Sequence, residues 1–272
     1  MSLIALALLL APLDDPSTHY AWLKTETQFS IQKSYDVPSN YTRVPVKDGS
    51  FSAWLRQLPL KPDSAKVLTY AGDSVWYQLQ ADRVVDIDVG KRDLQQCADV
   101  LLRLKAEYHF SRGEIDKLTF HFTSGDKYSY QSWLNGIRPV VRGSTVTWKT
   151  VAKSKISHRN FRKWLDVVFT YAGTVSLLQE TKKITDITDI KIGDILLDPG
   201  FPGHTIMVVD VARNSDGKQK VMFVQGSTPA QSPHIITRGF VFDRSVWYPI
   251  NKSGTIKTPI WNFESDQLRR FK

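Results

Sequence analysis

The sequence predicts an α+β domain in which an antiparallel sheet packs on one long helix, and three observations carry that prediction. Apolar residues recur at helical spacing through 93–110. Short apolar runs separated by Gly, Pro and Asn turn signals fill most of the remaining chain. The 272 residues are 42% apolar, with eight Trp, ten Tyr and thirteen Phe, enough for one large aromatic-rich core.

The chain opens "MSLIALALLLAPLDDPS". Its apolar run, residues 3–11, is far short of the ~20 residues that span a bilayer. Such a run fits the hydrophobic part of a secretory signal, although no basic residue precedes it; a buried first element is the alternative. Residues 1–18 are expected to be a signal-like leader, placing the protein in the periplasm or cell envelope, and 19–272 a single α+β domain.

Residues 21–60 read as short strands with a helix near 52–57. Residues 67–90 read as two strands about the Ala71-Gly72-Asp73 turn. Val85, Ile87 and Val89 share one face of the second; Asp86 and Asp88 fall on the other, fitting a solvated strand face better than a metal or acid pair. The helix follows, with Leu94, Cys97, Leu101, Leu104 and Tyr108 on its apolar stripe. Asp93 is the expected N-cap, and Arg103 with Glu107 the expected i, i+4 pair on an outer face. Residues 114–150 alternate and turn at Ser124-Gly125-Asp126, reading as a mid-chain β insertion. Phe161, Leu165, Val168 and Phe169 mark a second helix. Residues 190–227 read as three strands, joined by Gly200-Phe201-Pro202-Gly203 and by the hairpin signal Asn214-Ser215-Asp216-Gly217.

The net charge of +9 favours anionic partners such as acidic wall polymers or lipid headgroups. No run of five basic residues, zinc-finger spacing or RNP-like motif occurs, so nucleic acid is not an expected partner. No paired Cys, His-Glu-x-x-His or phosphate-cradling loop is present, and neither a metal nor a cofactor is expected.

A single cysteine excludes an internal disulfide and leaves any thiol chemistry to Cys97. It is either a small apolar core residue or a nucleophile whose thiolate the helix N-terminus favours. Thiol catalysis needs a base and a group to orient it. Of six histidines, His204 has the best setting, after Gly203 at the mouth of the apolar strand 205–211. His19 and His158 read as solvated or capping residues, His109 as a helix end and His121 as a strand residue. Gln225 closes the run "VMFVQ", and the hairpin brings it back beside His204, where its carbonyl can hold one imidazole nitrogen. The Cys97 amide is the natural first oxyanion donor, with Gln95 or Gln96 as a second. Gln231 and His234 follow closely enough to line the cleft, and His234 could stand in for Gln225.

A Cys at a helix start, a helical spacer, a Gly193-Asp194 turn, a His-led strand and a polar residue on the next strand, in that order, resemble the core of NlpC-type cell-wall cysteine peptidases. More closely, "GSFSAWLRQLPLK", "DLQQCADVLLRLKAEY", "FTYAGTVSL", "GDILLDPGFPGHTIMVVDVA" and "TPAQSPHI" resemble the bacterial domain-of-unknown-function family 4846, known mostly from exported proteins of Bacteroidetes-like bacteria. The resemblance implies a papain-like core with Cys97 as nucleophile, His204 as base and Gln225 as orienting residue. It points to a hydrolase of an amide bond in a cell-envelope polymer, foremost a peptidoglycan stem peptide, with peripheral association with the envelope. The sequence departs from the peptidase pattern Asp-Cys-Ser-Gly, carrying Gln96-Cys97-Ala98-Asp99. Two other functions stay open: a non-catalytic glycan- or peptide-binding module, and a Cys-His acyltransferase or thioesterase acting on lipid.

Overall fold

A computed structural model of the protein describes residues 20–23, 28–239 and 244–272; the leader and His19 lie outside them. At its centre is a nine-stranded sheet in which all paired strands are antiparallel. The order is β2 (Ala81–Val84), β11 (His234–Ile236), β10 (Gln219–Gln225), β9 (His204–Asn214), β8 (Ile195–Asp198), β15 (Leu268–Phe271) and β7 (Thr181–Lys183). In addition β1 (Tyr41–Arg43) pairs with β9 and β12 (Tyr248–Ile250) with β10.

Strand β9 is the spine. Residues 204–212 are all buried, which is why "TIMVVDVA" reads as a continuous apolar run rather than an alternation. The exception inside that run, Asp210, is held by two guanidinium groups: Arg43 Nε at 2.6 Å and Arg56 Nε at 2.8 Å. These pairs pin β1 and helix α2 (Phe51–Arg56) onto β9.

Helix α3 (Cys97–Ser111) packs against β9 and β10 with Ala98, Leu101, Leu102 and Leu104 buried as the stripe predicts. The opposite flank is buried too, contrary to expectation. Arg103 and Glu107 are 1% and 0% exposed at the side chain, because helix α5 (His158–Tyr171) and Asp88 close over them. His158 Nε2 lies 3.0 Å from both Glu107 oxygens, and Arg103 Nη2 lies 2.6 Å from Asp88 Oδ1. Asp88 thus ties the helix while keeping 59% of its side chain exposed, so it faces solvent as expected, although the strand ends at Val84. The two strands expected in 67–90 reduce to β2 and isolated bridges such as Leu68–Ser74.

Residues 114–150 form two hairpins that, among the described residues, pair with no strand of the main sheet: β3 (Thr119–His121) with β4 (Lys127–Ser129), and β5 (Ile137–Arg142) with β6 (Thr145–Thr150). Helix α4 (Tyr130–Leu134) lies between them. Phe120, Phe122, Tyr128 and Tyr130 share one buried cluster with Phe161 and Trp164 of α5, with α3 and with the sheet. A last hairpin, β13 (Thr255–Lys257) with β14 (Asn262–Glu264), buries Phe263 beside the start of β9. The single-turn helices α1 (Ile31–Ser34) and α6 (Leu177–Glu180) complete the chain. The α+β class, the antiparallel sheet and the long helix carrying Cys97 at its N-terminus are all present.

Candidate active site

The site is assembled where α3 begins, β9 begins and β10 ends. The N-cap of α3 is Gln96, not Asp93. Asp99 Oδ2 accepts the Gln96 N–H at 3.1 Å, the Asp half of a capping box. Asp93 ties the 228–231 segment to the helix start instead, its Oδ1 accepting from Gln96 Nε2 at 2.9 Å and from the Ala230 N–H at 2.7 Å. Cys97 is consequently the first helical residue, and its backbone N–H is among those without an intrahelical acceptor.

Two glycines set the approach of these elements. A Cβ on Gly226 would stand 2.5 Å from Val100 Cγ2, so only glycine lets the first turn of α3 settle on the end of β10. A Cβ on Gly203 would stand 2.6 Å from both Gly200 N and Thr174 Oγ1, so only glycine closes the 200–203 turn that delivers His204.

The Cys97 thiol is 7% exposed. Burial, and then the Asp99 carboxyl, push its pKa up to about 11, against the opposing pull of the Ala98, Thr205 and Cys97 backbone amides. This reverses the expected helix-terminus effect, since loss of hydration outweighs the helix dipole here. Asp99 is itself raised well above the carboxylate range by burial, and its Oδ1 has no partner.

Thr205, whose backbone amide helps hold the thiol pKa down, follows His204 directly. His204 is buried between the start of β9 and the rings of Trp261 and Phe263, whose centroids lie 5.6 and 6.0 Å away. Its Nε2 lies 3.3 Å from Gln225 Oε1. Gln225 Nε2 in turn lies 3.1 Å from His234 Nε2, across the Gln225–His234 pair of β10 and β11. His234 Nδ1 lies 2.9 Å from the Ser232 carbonyl oxygen.

These three contacts fix the protons. A carbonyl oxygen only accepts, so His234 carries its proton on Nδ1 and presents a lone pair at Nε2. Gln225 must then turn its NH2 toward His234 and its oxygen toward His204. That oxygen requires the proton of His204 on Nε2, which leaves Nδ1 of His204 as the unprotonated, basic nitrogen. Both rings are kept neutral: burial lowers each pKa from 6.5 to about 4, outweighing the opposing Gln225 contact at His204 and the Ser232 carbonyl at His234.

The chain His204–Gln225–His234–Ser232 thus joins three sequence-predicted residues, with His234 behind Gln225 rather than in its place. The other candidates are engaged elsewhere. Gln95 donates to the Asp88 carbonyl at 3.1 Å and accepts from Arg103 at 2.6 Å. Gln96 accepts from Thr228 Oγ1 at 3.1 Å. Gln231 is buried with an unpaired Oε1, as is the Tyr77 hydroxyl, and Tyr77 places its ring 5.8 Å from His234. Trp261 and Phe263 are not among the sequence-predicted residues, although their alternation in "IWNFE" puts both on one face. His109 and His121 serve carboxylates, pairing with Glu114 and Glu180 at 2.7 Å each. Among the described residues no group of three or more His, Cys, Asp or Glu converges as a metal site.

Residues 31–270 match the family described as "Domain of unknown function (4846)". No curated protein and no solved structure matches the chain.

Proposed function

We propose that this chain, which belongs to the domain of unknown function 4846 family, is a cell-envelope cysteine hydrolase of amide bonds, acting on peptidoglycan stem peptides through a papain-like, NlpC-type core. The observation that supports the reading is the hydrogen-bond chain from Ser232 to His204, which assigns a lone pair to His204 Nδ1 at the strand mouth, next in sequence to the Thr205 amide that helps hold the Cys97 thiol pKa down.

In this mechanism the sulfur attacks the scissile carbonyl carbon as its proton passes to His204 Nδ1. The carbonyl oxygen gains the negative charge and faces the Cys97 backbone N–H. Collapse expels the amine, which takes the proton from His204 and leaves a thioester on Cys97. Water, losing a proton to His204, then releases the acid and regenerates the thiol. Gln225 and His234 hold the imidazole in the required tautomer throughout. Export to the periplasm or envelope is part of the same proposal.

The raised thiol pKa favours one rival specifically: a binding module in which Cys97 is packing. Incubation with defined stem peptides separates the two. Release of a new amine by the wild type, lost in Cys97→Ser and His204→Ala variants that stay folded, supports hydrolysis. Equal, zero release from all three with retained peptide binding establishes the module. Release of a fatty acid from acyl-thioester substrates, with none from peptides, moves the same pair to lipid chemistry.

A further inference from the structure

Residues 127–165 hold nine Lys or Arg side chains and no Asp or Glu. The whole chain carries +9, so everything outside this segment is balanced, 27 basic residues against 27 acidic. The excess charge of the protein is therefore a local property of the β5–β6 hairpin, the extended segment after it and the start of α5.

The hairpin is two-faced. Its register places Ile137, Pro139, Val141, Val146 and Trp148 on one face and Arg138, Val140, Arg142, Thr145, Thr147 and Lys149 on the other. The apolar face is turned to the body, where the Trp148 ring meets Phe122 and Tyr128 at 6.4 and 5.4 Å. On the basic face Arg138 is stacked on the Trp133 ring at 3.5 Å, while the cations near and beyond the hairpin end stay outward. Arg142, Lys149, Lys153, Lys155 and Arg159 are all exposed. Among the described residues none of them has a carboxylate within ion-pair distance, whereas Arg162, lower on α5, is answered by Asp88 and Asp166. Interleaved with these cations are bare aliphatic side chains: Val151 is 41% and Ile156 63% exposed. The Ser154 N–H, bonded to the Leu134 carbonyl at 2.9 Å, holds this segment on the surface.

We infer that this face docks on an anionic lipid bilayer. Unpaired cations supply the long-range attraction to acidic headgroups, each adding roughly five-fold to partitioning near such a surface. Val151 and Ile156 supply short-range burial at the headgroup boundary, the combination that interfacial segments use. A soluble polyanion takes the charges but offers nothing to exposed Ile156, and nucleic acid is disfavoured on that ground. The inference does not depend on what chemistry Cys97 performs.

The test is co-sedimentation of the full chain with vesicles of phosphatidylcholine containing about a third phosphatidylglycerol, against phosphatidylcholine alone. Binding is expected only to the anionic vesicles and is expected to weaken when ionic strength rises from about 0.05 to 0.3 M. Lys149→Thr, Lys153→Ser and Lys155→Ser together should lower partitioning by roughly a hundred-fold. Ile156→Ser should lower it several-fold at unchanged charge. Because these side chains are exposed, all variants should keep the wild-type melting temperature. No difference between the two vesicle types overturns the inference. So does tighter binding to a duplex oligonucleotide or polyphosphate that Ile156→Ser leaves unchanged, which would make the face a polyanion site.

Discussion

Replacing His234 by Gln tests the relay through its effect on stability against pH. His234 and His204 both fall from 6.5 in the unfolded chain to about 4 in the folded one. The unfolded chain therefore takes up protons that the folded chain refuses. Each ring's contribution is complete above about pH 6.5 and is lost as pH falls through 4. A displacement of this size corresponds to ~3 kcal/mol per histidine at the acid limit. At pH 5 the loss is about 2 kcal/mol for each and about 4 for the pair. That is a large part of the 5–15 kcal/mol by which a domain is ordinarily stable. At pH 7.5, His234→Gln should cost about 1–3 kcal/mol, because the Ser232 carbonyl and the Gln225 amide lose well-placed partners. Between pH 7.5 and 5 the variant should lose only about half of what the wild type loses. Urea unfolding at a series of pH values reads both, and the two curves should approach or cross near pH 5. Parallel curves would refute the argument, because they would mean that His234 takes no part in the proton balance of the fold.

Three other outcomes follow from the geometry. Iodoacetamide labelling of folded Cys97 should be slow at pH 7 and rise toward pH 11, since the thiol is pushed up to about 11; labelling as fast at pH 6 as at pH 9 would contradict this. Asp99→Asn keeps an acceptor for the Gln96 N–H while removing the carboxyl that pushes the thiol up; the labelling profile should move to lower pH, and an unmoved profile would refute that coupling. Gly226→Ala sets a methyl against Val100 and should destabilise by about 1–3 kcal/mol in thermal unfolding, with a larger loss of any Cys97-dependent activity because the helix start moves. A neutral effect on both would show that α3 does not rest on Gly226.

What is legible in the sequence is what period and turn chemistry control. The stripe through Leu101 and Leu104, the Asn214–Gly217 turn and the run from Thr205 to Val211 each mark an element locally, and each element is present. Hidden is whatever depends on a neighbour from elsewhere in the chain. Arg103 and Glu107 look like a surface pair until α5 covers them with His158. Asp93 looks like a cap until Ala230 arrives to claim its carboxylate. His234 is visible as a candidate near Gln225, but its place behind Gln225 follows only from the β10–β11 register. Charge is hidden for a different reason. A search for runs of basic residues finds none, yet the absence of acids over 127–165 concentrates the whole imbalance in one continuous segment that ends within α5.

The resting states of Cys97 and His204 bear on how a hydrolase of this kind would work. With the thiol near 11 and the imidazole near 4, moving a proton from sulfur to nitrogen is uphill by about seven units, on the order of 10 kcal/mol. The same transfer between the unperturbed groups, 9.0 and 6.5, is uphill by only about 3 kcal/mol. Burial thus suppresses a standing thiolate–imidazolium pair, and proton transfer must accompany attack on a bound carbonyl. Alkylation does not separate this from an inert buried thiol, but aldehyde binding does. Small alkylating agents, which offer no carbonyl oxygen for the Cys97 amide to hold, should react slowly with both. A peptide aldehyde should bind the catalytic site as a hemithioacetal, because attack delivers the proton to His204 and places the new oxyanion at that amide. Reversible aldehyde inhibition of turnover, absent in His204→Ala, would therefore detect the pair even though slow labelling at neutral pH would not. An aldehyde that leaves the Cys97 environment unchanged in a folded, peptide-binding wild type would assign the thiol to packing.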